Sequence, residues 1–439
     1  MSGNAASLGA MNDVAELAGF QTGFVQRPDV VFTASSADDV VAAVRHAADR
    51  KLPLGVHATG HGLPGPVEGG VVVSTRRMDG VSVDPDARTV RLQAGVRWGQ
   101  VVAAAAPYGL APLNGSAPSV GAVSYTLGGG LGILAREFGY AADHVRSLDV
   151  VTADGRLRHV TSESDADLYW ALLGAGHAFG VVTELEIGLV PVRTLYGGSL
   201  AFDGRDVDPA VVLRAYEEWT RTVPEGLTSS FAAVPYPDIP ALPPRLRGRY
   251  VLSVRVAWTG GDGDRVVAPL RRIGAVLSDS LREMPYAESH TIHGDPDFPH
   301  SYYGDSAVLG EWDLDAVAGV LARTGPEAAG AMCVVQVNHL GGALARPAPD
   351  SVPNSVPYRE GRFLVRVLTM ADRVRGREIL DPAFALLAPV TLGRAVNFAF
   401  GAGDRGEGLY DVETSKRLAG IKSRYDPANL FRTDFGVSG

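Results

Sequence analysis

The chain has one cysteine, Cys333, among 439 residues. No intrachain disulfide can form, which fits a reducing compartment. Positive charge is also short: Lys and Arg number 40 against 49 Asp and Glu, for a formal net charge of −9. No basic face therefore invites nucleic acid or an anionic membrane. No apolar run is long enough to span a bilayer. The opening MSGNAASLGAMNDVAELAGFQTGF has no basic start followed by a long apolar stretch, so a secretory signal is not expected. Internal repeats and low-complexity tails are missing too. These absences point to a cytoplasmic protein, monomer or homodimer, with a small-molecule substrate and neither nucleic acid nor membrane as partner. With 46% hydrophobic and 20% charged residues, the composition is that of a globular protein with a large core, in roughly two or three domains.

Up to about Pro191 short strands alternate with helices. DVVF is a predicted strand, and SSADDVVAAVRHAADR a helix with Ser36 as N-cap and Asp39 in its first turn. LPLGVHA is a strand that ends at a glycine loop. VVVST follows, then VSVD and TVRLQA around a PDAR turn. WGQVVAAAAPYG is a helix closed by Gly109, and SLDVVTADGRLRHVT a hairpin turning at Asp154-Gly155. DADLYWALLGAG is a short helix and FGVVTELEIGLVPV a long strand. From there to about Val390 longer strands (RYVLSVRVAW, AMCVVQVNHL, RFLVRVLTM) alternate with helices and Pro-rich loops. They suggest an antiparallel sheet with helices on one face. TSKRLAGIKSRYDPANLFR is an amphipathic helix stopped by Pro427.

Three glycine clusters stand out: ATGHG at 58–62, TLGGGLG at 126–132 and GAGHAFG at 174–180. Glycine lets the backbone approach a ligand closely, and successive N–H groups in such loops suit a phosphate or pyrophosphate. A dinucleotide fingerprint fails, because Ile133 holds the last glycine position of G-x-G-x-x-G and no βαβ unit surrounds it. In order, the chain reads ATGHG, GSAPSVG, TLGGGLG, FGYAADHV, DVVTADG, DLYWAL and FGVVTELE, and near its end RLAGIKSRYDPANLF. This series resembles the berberine-bridge-enzyme-like branch of the vanillyl-alcohol oxidase superfamily. The likeness is strong over the N-terminal half and the last 30 or so residues, and loose between them, around QVNHLGGALA and YREGRFLV.

The resemblance implies an α+β fold: a two-part FAD-binding domain of the vanillyl-alcohol oxidase type and an antiparallel-sheet substrate domain covered by helices. The expected boundaries are 1–194, 195–396, and 397–439 returning to the FAD domain. It implies FAD held by Ala58, Thr59, Gly60, His61 and Gly62, then by Ala117, Pro118, Val120 and Gly121. Leu127, Gly130, Gly132, Val145, Gly180, Val181, Val182, Asn397 and Asn429 complete the expected set. His61 is the implied covalent anchor, since neutral imidazole is a good nucleophile and relatives bond this histidine to a flavin methyl carbon.

The chain departs from the family pattern at several positions. Ala117 replaces the cysteine that makes a second flavin bond in many members, so attachment through His61 only is expected. Val123-Ser124 replaces a glycine pair, and Leu173, Ala175 and His177 change the usual RGGGGNFG. Phe398 replaces a tyrosine base. Val120 is either an oxygen-admitting small residue, which would favour an oxidase, or simply packed. Candidates for the base are Tyr303, Tyr358 and His339. Tyr302-Tyr303 lie in a predicted loop. On the strand of His339, period two puts Gln336 and Asn338 on one face and His339 on the other. Cys333 is expected to be an ordinary buried thiol. His290, His293, Asp295 and Asp297 suit no common metal site and read as a solvated loop. No metal is expected. The family reaction is hydride transfer from a C–OH or C–NH carbon to flavin, with oxygen then reoxidising it to give peroxide. The alternative is a biosynthetic flavoenzyme that oxygenates through a flavin–oxygen adduct or cyclises its substrate.

Overall fold

The computed structural model describes residues 14–349, 351–431 and 437. The ends of the first and last expected segments, 1–13 and most of 432–439, lie outside the described residues. The chain folds as α+β in two sheet-built halves, with helices and antiparallel strands as expected.

The first half holds a parallel three-stranded sheet, in the order Val30–Thr33, Val71–Ser74, Leu54–His57. Its VVVS strand is buried at every residue, as befits a central parallel strand covered on both faces. Helix Ala37–Arg50 packs against it. Ser36 caps that helix by accepting from the Asp39 N–H, and the Asp39 carboxylate accepts in return from the Ser36 N–H. Beside it lies a five-stranded antiparallel sheet in the order Val81–Asp84, Thr89–Gln93, Val181–Gly188, Val145–Val151, Leu157–Val160. Helix Trp98–Ala105 runs on through a 3-10 turn to Gly109, whose φ of 70° ends it as expected.

The second half is one nine-stranded antiparallel sheet drawn from residues 194 to 393. Its central strands are Tyr250–Trp258, Thr228–Pro235, Cys333–His339 and Phe363–Thr369, in that spatial order. Cross-strand partners share a face. Val254, Phe231, Val337 and Val365 stand in register on one face. There they pack into a core shared with helices Pro209–Thr220, Leu314–Thr324 and Arg373–Phe384. The opposite face is polar: Arg255 is paired with Ser230, Ser230 with Asn338, and Gln336 with Arg366. This polar face looks back at the first half.

The last helix, Val412–Tyr425, returns the chain to the first half. Its buried Lys422 donates to the Ala178 carbonyl at 2.7 Å, the Asp426 carboxylate at 2.6 Å and the Phe431 carbonyl at 2.8 Å. The Leu54 N–H then donates to the Leu430 carbonyl, at the root of the strand that leads to His61.

Candidate active site

The loop after strand Leu54–His57 is held by fit. Gly60 has φ 69°, and a Cβ there would lie 2.7 Å from the Gly19 Cα, so only glycine suits. At Gly62 a Cβ would meet nothing within 4 Å; this glycine faces open space. The Thr59 hydroxyl accepts from the Gly121 N–H at 3.3 Å, tying the first loop to the GSAPSVG loop. Between them sits His61. Its Nε2 lies 2.9 Å from the Ser119 hydroxyl, and Phe20 stacks on its ring at 3.8 Å and 14°. The Tyr302 hydroxyl donates to its carbonyl. Burial first, then the nearby Arg97, pushes the His61 imidazole down to about 4, against the pull of Asp295. The ring is therefore neutral at pH 7, and Nδ1 has no hydrogen-bond partner among the described residues.

Between these loops and the polar face of the sheet lies a cavity of about 810 Å³. Ala58, Thr59, Gly60, His61 and Gly62 line it, as do Ala117, Val120, Gly121, Gly132 and Asn397. The Asn397 side chain donates to the Tyr125 carbonyl at 2.9 Å and fills the space where Gly128 lacks a side chain. Pro118, Leu127, Gly130, Val145, Gly180, Val181, Val182 and Asn429 stand behind the wall. Pro118 packs on Gly99; Leu127, Val145, Val181 and Val182 are core residues. Gly180 leaves room for Val150 and Val151, and Gly130 for Tyr125 and Ala141. Asn429 takes φ 51° in the turn after the last helix. These residues shape the loops without reaching the cavity.

FAD fits this donor set. The cavity spans both halves, its glycine loops leave backbone open to it, and a neutral nucleophilic imidazole borders it. Buried polar atoms on its wall lack protein partners: Tyr125 OH, His177 Nδ1, Ser230 Oγ, Gln336 Nε2 and Asn338 Oδ1. A polar heteroaromatic ring with a sugar–phosphate tail would supply partners on the glycine-loop side, at Tyr125 and His177. Cys333, the sole cysteine, is not on the cavity wall.

None of the three expected bases reaches this cavity. Tyr303 begins the strand Tyr303–Leu309 instead of lying in a loop, and is buried under Gly376 with Arg377 at its hydroxyl. His339 is on the far face of its strand, as its odd register demands. It accepts from Arg136 at 3.1 Å and stacks on Phe363, and burial with Arg136 pushes it down to about 3. Tyr358 lines a separate small cavity with Gly130 and packs against Gly393. The loop of His293 and Asp295 is not simply solvated: both line the main cavity. The Ser116 hydroxyl donates to Asp295. Burial raises the Asp295 carboxyl, but His293, Arg255, the Ser116 hydrogen bond and Arg366 together hold it below its ordinary value. Burial, then Arg255, pushes His293 down to about 3. Among the described residues no group of His, Cys, Asp and Glu is arranged to hold a metal.

Several site residues were not legible beforehand. Phe20 comes from a segment with no motif. Arg255 and Arg366 sit inside apolar strands, where only the even-numbered positions of the later strands hinted at a polar face. Two departures from the family pattern meet here: the Ser124 hydroxyl lies 3.2 Å from His177 Nε2. A third has a new partner, for the Phe398 ring carries the Arg366 guanidinium 4.6 Å from its centre.

Residues 28–161 match the FAD binding domain family model, and residues 392–438 match Berberine and berberine like. The chain is 28% identical to (R)-6-hydroxynicotine oxidase of Paenarthrobacter nicotinovorans, over 94% of this chain and 92% of that protein. The crystal structure of 6-hydroxy-D-nicotine oxidase from Arthrobacter nicotinovorans superposes with a TM-score of 0.84 at 26% identity, covering 99% of each chain. Glucooligosaccharide oxidase from Acremonium strictum, described with a 6-S-cysteinyl, 8α-N1-histidyl FAD, shares the fold at a TM-score of 0.81 and 20% identity, over 96% of this chain and 93% of that one.

Proposed function

From a chain that is a berberine-bridge-enzyme-like, FAD-linked oxidoreductase of the vanillyl-alcohol oxidase superfamily, we propose an oxidase of a small metabolite whose flavin is bonded through His61 alone. The substrate loses a hydride from a C–OH or C–NH carbon and a proton from the heteroatom; oxygen takes both electrons and leaves as hydrogen peroxide. Bound FAD supplies the two-electron relay between the two. The observation that carries the reading is the neutral, stacked His61, with an unpartnered Nδ1, at the edge of a cavity large enough for cofactor and substrate together. Asp295, the one carboxylate among the lining residues, is ionised at neutral pH and is our candidate proton acceptor. Phe398 cannot take a proton, so the family's tyrosine role falls elsewhere in this chain. Ser116 holds Asp295 in place.

The test is acid precipitation followed by a denaturing gel viewed for flavin fluorescence, beside His61→Ala. A fluorescent wild-type band and a dark variant are expected. A dark wild-type band with yellow supernatant defeats the covalent reading. With a substrate in hand, one peroxide per oxygen consumed is expected. Turnover that incorporates oxygen, or leaves substrate mass unchanged, defeats the oxidase reading in favour of oxygenation or cyclisation.

A further inference from the structure

Arginines held inside this fold elsewhere are answered by carboxylates or, at Arg136, by the Leu227 and Leu340 carbonyls and His339. Arg394 meets Asp305 at 2.8 Å, and Arg359 is paired with the fully buried Asp143. Two arginines break the pattern. Arg255 and Arg366 rise from the polar face of the sheet into the main cavity, and neither has an ion-pair partner among the described residues. They are also close neighbours: both donate to the same oxygen, Gln336 Oε1, Arg255 at 3.3 Å. Phe398 supports the Arg366 guanidinium from one side. Beside them the buried Ser230 hydroxyl, Gln336 Nε2 and Asn338 Oδ1 lack partners.

Two like charges held together out of bulk water are costly unless a counter-charge arrives. Asp295, on the same cavity wall, supplies one, but it makes no ion pair with either arginine among the described residues. Burial and Arg255 disfavour a charge on His293. The guanidinium groups outnumber the carboxylates on the cavity wall. Phosphates of a bound FAD would find donors in the backbone N–H groups of the glycine loops, which would leave the guanidinium charge to a substrate.

We propose that Arg255 and Arg366 form a carboxylate-binding site, so that the substrate is an organic acid carrying its oxidisable C–OH or C–NH carbon near the acid group. Guanidinium donors match a carboxylate in planar, bidentate geometry, and two guanidinium groups set against one carboxylate match a monoanion rather than a phosphate dianion. The neighbouring serine and amide groups complete the polar shell. The proposal rests on the oxidase reading for the role of the bound acid, but its test does not.

The flavin-loaded enzyme is titrated with benzoate and with benzamide, its neutral isostere, following flavin absorbance and calorimetric heat. Benzoate is expected to bind at least ten-fold tighter, about 1.4 kcal/mol. In the Arg255→Met, Arg366→Met double variant that ratio should fall to about one, and Arg366→Lys should keep part of it. Equal affinity in the wild type, which requires no variant to fold, overturns the site. A double variant that loses flavin but keeps the ratio also overturns it, since the arginines would then serve the cofactor. Separately, enzyme reduced with dithionite is reoxidised in air. Peroxide without a benzoate preference defeats the carboxylate site and leaves the oxidase reading. A benzoate preference without peroxide supports the site and defeats the oxidase reading.

Discussion

His61 is gripped by the Ser119 hydroxyl at Nε2 and by Phe20 across its face. A proton held on Nε2 and donated to Ser119 leaves the Nδ1 lone pair free to bond carbon. Ser119→Ala removes that acceptor, and flavin attachment should slow by roughly ten-fold, the worth of one hydrogen bond; the growth of in-gel fluorescence with time after adding FAD to apoprotein measures it. Because the imidazole titrates near 4, the same rate should stay flat from pH 8 to pH 5 and fall only as pH nears 4. At this scale the sequence was readable where a motif fixed a residue, as with His61 and its glycines. It was silent where contact is made across the fold. Nothing around Phe20 announces that it stacks on His61, and Ser124 and His177 read as separate departures until the fold brings them together.

Strand Cys333–His339 shows what period alone can settle. The alternation correctly separated Gln336 and Asn338 from His339, yet no local feature said which face the cavity would take. The answer comes from packing: Val335 and Val337 are needed against helix Leu314–Thr324, and this turns the polar residues toward the first half. The closing helix offers a sharper test of an element. Lys422 and Asp426 are both fully buried, with one side-chain hydrogen bond joining them and four more to the surrounding backbone. Lys422→Ala strands the Asp426 carboxylate and should cost about 3 to 5 kcal/mol, read from urea unfolding followed by circular dichroism. A loss below 1 kcal/mol would mean that water replaces the ammonium.

Across the whole molecule, half of the histidines share one condition. His57, His61 and His177 are pushed down to about 4, and His293 and His339 to about 3, in each case chiefly by burial. The unfolded chain binds protons at these sites below about 6.5, while the folded chain refuses them until pH 4 or lower. Stability is thus fully present above pH 6.5 and drains away as pH falls to 4, by up to about 1.4 kcal/mol per pH unit for each proton. Thermal midpoints measured from pH 7.5 to 4.5 should drop steadily; a flat profile would mean that these rings are solvated. The antiparallel sheet of the second half was visible in the strand patterns, but the cavity was not, since residues of both halves line it. The strand that presents His61 gains its edge partner from Leu430 and Phe431, far along the chain. The anchor is therefore framed only once those residues have folded back, so colour in this protein reports that closure, and a chain cut short after Tyr425 should emerge pale.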